Sequence, residues 1–183
     1  FVATANAPAY CGASAHLADI DADSRALAAE TVANFVARHP ETKAVLPVHF
    51  AGLASAMPEI RTAAQHRIVI EDACHALGGT YANGDPVGSC VHSDMAAFSF
   101  HPVKPITTGE GGAVTTNDAE LARRLRLFRN HGIERVPALF TGEETAAPWL
   151  YEQQVLGFNY RMTDLQAALG IAQLGRLDHF RAR

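Results

Sequence analysis

Lys104 stands in the glycine-rich segment SFHPVKPITTGEGG (residues 99–112), just after the apolar run MAAFSF, and Asp72 follows a second short apolar run in RIVIEDACHALGG (residues 67–79). A lysine amine that is to condense with an aldehyde must be partly neutral near pH 7, which requires a pocket whose desolvation or neighbouring cation lowers its pKa. A carboxylate such as Asp72 can keep a proton on the ring nitrogen of a bound aromatic group and so turn that ring into an electron sink. Together the two point to Schiff-base chemistry on a ring cofactor. Each also has a duller use, Lys104 as a solvated side chain beside a proline turn and Asp72 as the cap of a following helix. The clusters Gly78–Gly79 and Gly109, Gly111 and Gly112 complete neither glycine pattern of nucleotide-binding loops. They read instead as turns, or as places where backbone approaches a bound group.

The elements that would position these residues alternate along the chain. Short β-rich runs at HLADI (16–20), KAVLPVHF (43–50) and RIVIE (67–71) are separated by stretches that read as helices, SRALAAETVANFVARH (24–39) and residues 54–66. Such alternation predicts crossover units on a mostly parallel sheet, hence an α/β fold. AAFSF (96–100) and GGAVTTN (111–117) predict two further strands with Lys104 in their connection, at a strand end where open sheets place their ligands. An arginine-rich helix is expected over 118–129, capped by Asp118 or Asn117, and a last helix over about 163–180, capped by Thr163. Residues 134–156, with two prolines and a Thr-Gly turn but no period, read as a long loop, a kind that is usually functional or mobile.

With 183 residues and 48% hydrophobic content, the chain is long enough for one domain with a sizeable core. A formal net charge of -4 without a basic stripe leaves no electrostatic footprint for nucleic acid. No apolar stretch approaches the ~20 residues of a membrane span, and no signal peptide is visible. The three cysteines, Cys11, Cys74 and Cys90, cannot all pair within one chain and lack metal-ligand spacing, which fits a reducing, cytoplasmic setting and no metal. Cys74, although close to Asp72, reads as a small buried side chain.

The segments FVATANA (1–7), KAVLPVHFAGL (43–53), IVIEDACHALGG (68–79), AAFSFHPVKPITTGEGGAVTTND (96–118), RNHGI (129–133) and GFNYRMTDLQAALGIAQL (157–174) resemble, in order and spacing, the DegT/DnrJ/EryC1/StrS sugar aminotransferases. Those enzymes depend on pyridoxal 5'-phosphate and belong to fold type I, the aspartate aminotransferase-like class. The resemblance runs almost end to end and implies a three-layer α/β/α large domain with a mostly parallel sheet. It implies that Lys104 holds the cofactor as a Schiff base and shuttles a proton, and that Asp72 pairs with the pyridinium nitrogen. His75 would contact the phenolic oxygen, Ser99 the phosphate, and Phe1 would lie over the ring. Asn159, with Arg161 as stand-in, would deliver a phosphate donor into the neighbouring subunit's site, so that a homodimer shares its active sites. Glu110, His131 and His101 would contact the sugar or shape the lysine loop.

The implied reaction moves an amino group, from L-glutamate in most relatives, to a nucleotide-linked 4-keto-6-deoxy sugar. SFHPVKPITTGEGG and GFNYRMTDLQAALG look most like the UDP-4-amino-4,6-dideoxy-N-acetyl-beta-L-altrosamine transaminases. A sister branch carries histidine in place of Lys104 and dehydrates its sugar; the lysine argues against it. A related sugar dehydratase, amination at C3, or a catalytically inert structural fragment are the alternative readings. Family members are about twice this length and carry an upstream glycine-threonine phosphate-binding turn that is missing here. Residues 1–183 are therefore expected to form the central part of the cofactor-binding large domain, without the N-terminal segment and the C-terminal small domain, and to turn over little in isolation.

Overall fold

The computed structural model describes residues 1–142 and 147–182 in two units, one formed by Phe1–Asn117 with the chain from Gln166 on, the other by Asp118–Leu165. The first unit is built on a sheet of β1 (Ala44–Val45), β2 (Ile68–Asp72), β3 (Met95–Ser99) and β4 (Gly112–Thr115), in that spatial order. β1 pairs parallel with β2 and β2 parallel with β3, whereas β4 runs antiparallel to β3 and sets Gly112 opposite Ser99. The sheet is thus mixed and largely parallel, as the alternation of runs predicts. Along β2 and β3 every second side chain is buried, Val69 and Glu71 in one, Ala96 and Phe98 in the other, which is the two-residue period of a pleated strand.

Two helices cover this sheet with apolar stripes. α2 (Ala29–Arg38) buries Val32 and Val36, and α3 (Met57–Ala64) buries Met57, Ile60 and Ala64, spacings of three and four that keep each set on one helical face. These residues join Val45 and Val69 in one core. Met57 and Ile60 are fully buried, and removing such side chains from water stabilises the fold by roughly 2–3 kcal/mol each. Pro58 sits in the first turn of α3, where a missing N–H costs nothing.

Several expectations are corrected. HLADI (16–20) forms no strand; its only pairing is a bridge from Ile20 to Leu27. Asp19 accepts the N–H of Ile20 (2.9 Å) and Asp21 that of Ser24 (2.8 Å), so local side-chain acceptors capture backbone donors that a strand would have used. The helix expected over 24–39 begins only at Ala29: Arg25 takes a left-handed φ of 57°, Leu27 bridges to Ile20 and Ala28 is extended. The last helix divides into α5 (Asp164–Leu174) and α6 (Leu177–Arg181). A helix that the sequence reading did not expect, α1 (Val2–Tyr10), is rich in alanine and buries none of its residues.

In the second unit, α4 (Ala119–Arg129) is capped by Asp118, whose Oδ1 accepts from the N–H groups of Glu120 (2.7 Å) and Leu121 (3.0 Å). The expected structureless loop contains regular pieces: β5 (Ile133–Glu134) pairs antiparallel with β6 (Glu152–Gln153), and Pro137–Leu139 forms a 3-10 turn. Residues 143–146 of that loop lie outside the described residues. Gly132 has a φ of 71°, and a Cβ placed there would stand 1.8 Å from the Val155 carbonyl oxygen, so the crossing of these two segments admits only glycine. Among the described residues, no helix is long and apolar enough to cross a membrane.

Candidate active site

β2 ends on Asp72 and β3 on Ser99, and because the two strands are parallel neighbours their carboxyl ends meet at one edge of the sheet. The Asp72 carboxylate is half-buried. Its Oδ2 accepts from the Thr4 hydroxyl of α1 (2.5 Å) and its Oδ1 from the backbone N–H of Cys74 (3.1 Å). Burial pushes the Asp72 pKa up, but the hydrogen bonds from Thr4 and Cys74 more than offset it and hold the group below the ordinary carboxylate range. Asp72 is therefore an anion at neutral pH, with lone pairs aimed by two fixed donors.

Cys74 feels the charge of both chemical groups. Burial first, then the Asp72 carboxylate, push its thiol up to about 12, while the charge of Lys104 works the other way. Both Asp72 and Lys104 thus act electrostatically on the same sulfur, and Cys74 itself stays a neutral thiol, unsuited to nucleophilic work near pH 7. Lys104 is half-buried in a loop whose own hydrogen bonds close it. Phe100 N–H donates to Gly111 O (2.8 Å), Thr108 N–H to Phe100 O (3.0 Å) and Lys104 N–H to His101 O (2.9 Å). Ile106 and Thr108 are buried and anchor the loop, whereas His101 and Glu110 are exposed with Nε2 and Oε1 3.9 Å apart.

Ser99 Oγ accepts the N–H of His101 at 3.3 Å, and His75 is exposed in the turn that follows β2. Phe1 precedes α1 and is 91% exposed. The structure therefore gathers Asp72, Cys74, Lys104 and Ser99 at the carboxyl edge of β2 and β3, with His75 in the adjoining turn. Thr4 is the residue that sequence reasoning missed. Its only signal was a lone hydroxyl in the alanine-rich FVATANA, and its pairing with Asp72, 68 residues away, is made by tertiary structure.

Asn159, Arg161 and His131 belong to the second unit. Asn159 bridges to Asn130, whose Oδ1 accepts from Arg161 Nη1 at 2.8 Å, and His131 N–H donates to Phe158 O (2.8 Å). Arg161 lines a concavity of about 790 Å3 together with Arg123, Arg126, Arg129 and Arg135; among the described residues Glu134 is the acidic residue of that lining, and Glu120 also pairs with Arg123 (2.8 Å). A concave surface with that balance of charge favours an anion.

The fold, with an aspartate at one strand end and a lysine in the loop after the next, points to the class, and comparison with known proteins gives the family. The sequence profile of the DegT/DnrJ/EryC1/StrS aminotransferase family matches residues 1–183, and the chain belongs to that family. GDP-perosamine synthase of Caulobacter vibrioides is 42% identical over 186 residues, covering 100% of this chain and 46% of that protein. Helicobacter pylori PseC, an aminotransferase involved in the biosynthesis of pseudoaminic acid, superposes with a TM-score of 0.85 at 32% identity, over 98% of this chain and 44% of its own. The PLP-form of the sugar aminotransferase Spr1654 from Streptococcus pneumoniae superposes with a TM-score of 0.80 at 26% identity, over 98% of this chain and 47% of its own. The chain thus spans about half the length of the relatives it matches. Its fold is the three-layer α/β/α arrangement of fold type I aminotransferases, with a largely parallel mixed sheet. The match to both a perosamine and a pseudoaminic acid relative indicates no single closest branch.

Proposed function

We propose that the chain carries the cofactor-binding part of a pyridoxal 5'-phosphate-dependent aminotransferase. It would transfer an amino group from L-glutamate to a nucleotide-linked 4-keto-6-deoxy sugar, as a homodimer with shared active sites. The observation that carries this reading is an aspartate held ionised by two donors at the same sheet edge as a half-buried loop lysine. That donor set fits the cofactor: a fixed carboxylate suits a protonated ring nitrogen, and a primary amine suits an aldehyde. Pyridoxal phosphate, when bound, supplies the aldehyde and the electron-withdrawing ring.

The chain's own residues then have separate tasks. Asp72 would hold the ring nitrogen in its protonated form. Lys104 would bind the cofactor's aldehyde through its amine and, as a free amine, would hold or move a proton at the substrate carbon. Ser99 offers a hydroxyl to the phosphate, Asn159 or Arg161 a further donor from the neighbouring subunit, His75 a contact to the phenolic oxygen and Phe1 an aromatic face. The finer assignment to UDP-4-amino-4,6-dideoxy-N-acetyl-beta-L-altrosamine transaminases rests on the SFHPVKPITTGEGG and GFNYRMTDLQAALG segments.

The test is an absorbance spectrum of the chain with added pyridoxal phosphate, before and after borohydride reduction, for wild type and Lys104→Ala. A visible band that reduction fixes on Lys104, and that Lys104→Ala lacks, is expected. A band of equal strength in Lys104→Ala would overturn the assignment of the nucleophile.

A further inference from the structure

A buried polar cluster lies on the other face of the sheet from Asp72. Glu71 and Asp72 are consecutive on β2, so their side chains leave opposite faces of the sheet. Asp72 faces Thr4, whereas Glu71 is 0% exposed. Glu71 Oε2 accepts from His49 Nε2 (2.6 Å) and from the Tyr81 hydroxyl (2.6 Å), and Oε1 accepts from the Ser93 hydroxyl. Burial pushes the Glu71 pKa up, yet these three donors more than offset it, so the carboxyl lies below its ordinary range. His49 Nδ1 accepts the backbone N–H of Ser55 (3.0 Å), which leaves its proton on Nε2 and aims it at Glu71.

Residue 49 also grips the main chain next door. Its N–H donates to Asp72 O (3.0 Å), and the Asp72 N–H donates to Pro47 O (2.8 Å). The turn that follows reaches the other side of the site: Gly52, with a φ of 87°, lies so close that a Cβ there would stand 2.9 Å from the His75 carbonyl oxygen. One turn, residues 49–55, thus backs the whole segment from Asp72 to His75. Asp72 is the last residue of its strand, and strand ends open most readily unless something ties them.

We infer that His49, Glu71, Tyr81 and Ser93 form a positioning device that fixes the end of β2, so that Asp72 and His75 are presented to the cofactor in one arrangement. The inference rests on the reading of Asp72 as the partner of the cofactor's ring nitrogen. None of the four is a catalytic residue. They act through Asp72, whose pairing with a ring nitrogen tolerates only a fraction of an ångström of play.

Two substitutions at one position separate this role from plain loop anchoring. His49→Gln keeps an N–H near the Nε2 position and loses the acceptor for Ser55; His49→Asn keeps that acceptor and loses the donor to Glu71. Pyridoxal phosphate titration of the full chain is expected to show a dissociation constant raised about tenfold for His49→Asn, the scale of one charge-assisted hydrogen bond, and within about twofold of wild type for His49→Gln. Amide exchange without cofactor is expected to quicken at Asp72 and Cys74 in His49→Asn only, and to stay unchanged at Val69, whose N–H is held by Asp94 (2.7 Å). Equal losses in both variants, or none in either, would overturn the inference. If His49→Asn does not fold, Tyr81→Phe removes one of the same three donors while keeping the ring, and wild-type affinity and exchange in that variant would overturn it equally. Asp72→Asn is measured alongside. Should it bind pyridoxal phosphate as tightly as wild type, the functional reading fails, and the exchange rates at Asp72 and Cys74 alone decide the positioning role.

Discussion

Thr4 carries more of the site than its residue type announces. Of the influences that hold Asp72 ionised, its hydroxyl is the strongest, ahead of the Cys74 contacts, and it opposes the desolvation that burial imposes. A hydrogen bond to a charged acceptor is worth about 1.5–3 kcal/mol in mutational series. Thr4→Val keeps the shape and removes the donor, so the Asp72 pKa is expected to rise and the carboxylate to lose its fixed direction. Cofactor titration should show binding weakened about tenfold in Thr4→Val and near wild type in Thr4→Ser, the fold-change following from the low end of that range. Equal affinity in Thr4→Val and wild type would mean that the Cys74 N–H suffices to orient Asp72.

At the scale of the element, β2 is a strand with an ionised carboxylate on each face at its end, and this makes its stability depend on acid. Glu71 and Asp72 both have pKa values lowered by folding. Such groups contribute stability that is fully present above the unfolded pKa, about 4, and is lost as pH falls through the lower folded value. The melting temperature is therefore expected to be insensitive to these two groups above about pH 5 and to fall below about pH 4. Glu71→Gln should start lower and fall less steeply, because one of the two linked protons is gone. Parallel curves for wild type and Glu71→Gln would show that the buried carboxylate is not what acid unfolds. The other carboxylates with lowered pKa, Asp21, Glu41, Glu120 and Glu152, are solvated and add little to that slope.

β2 also shows what was legible in the chain. Strands whose alternate residues enter the core, β2 and β3, announced themselves by their runs, and so did the Asp118 cap, because these depend on neighbours in sequence. HLADI had a strand's composition, but Leu17 is 89% exposed, and two aspartates bent the segment locally. The placement of Lys104 and Asp72 beside strand ends was legible from the runs that precede them. Thr4 and the partners of Glu71 were not, since His49, Tyr81 and Ser93 converge on it from 22, 10 and 22 residues away and no local pattern encodes that convergence.

For the molecule as a whole, α5 is a helix that its own chain leaves uncovered. None of its residues is buried, and Ile171 and Leu174, three positions apart and so on one face, are 75% and 53% exposed. A different part of the same helix rests on the lysine loop: Gln166 Nε2 donates to Glu110 O (2.9 Å), and a Cβ at Gly170 would stand 3.0 Å from Thr108 Cγ2. If the proposed homodimer covers the apolar face, its formation also steadies the loop that carries Lys104. Burying an isoleucine or leucine is worth about 1.5–3 kcal/mol, so placing two charges there removes that gain and adds a desolvation cost. Ile171→Glu combined with Leu174→Glu is therefore expected to shift sedimentation from dimer to monomer at micromolar concentration and to weaken cofactor binding in step. A charged variant that remains dimeric would place the interface elsewhere. A monomeric variant that binds cofactor as wild type does would show that the lysine loop holds its shape without a partner, through its own hydrogen bonds and the buried Ile106 and Thr108.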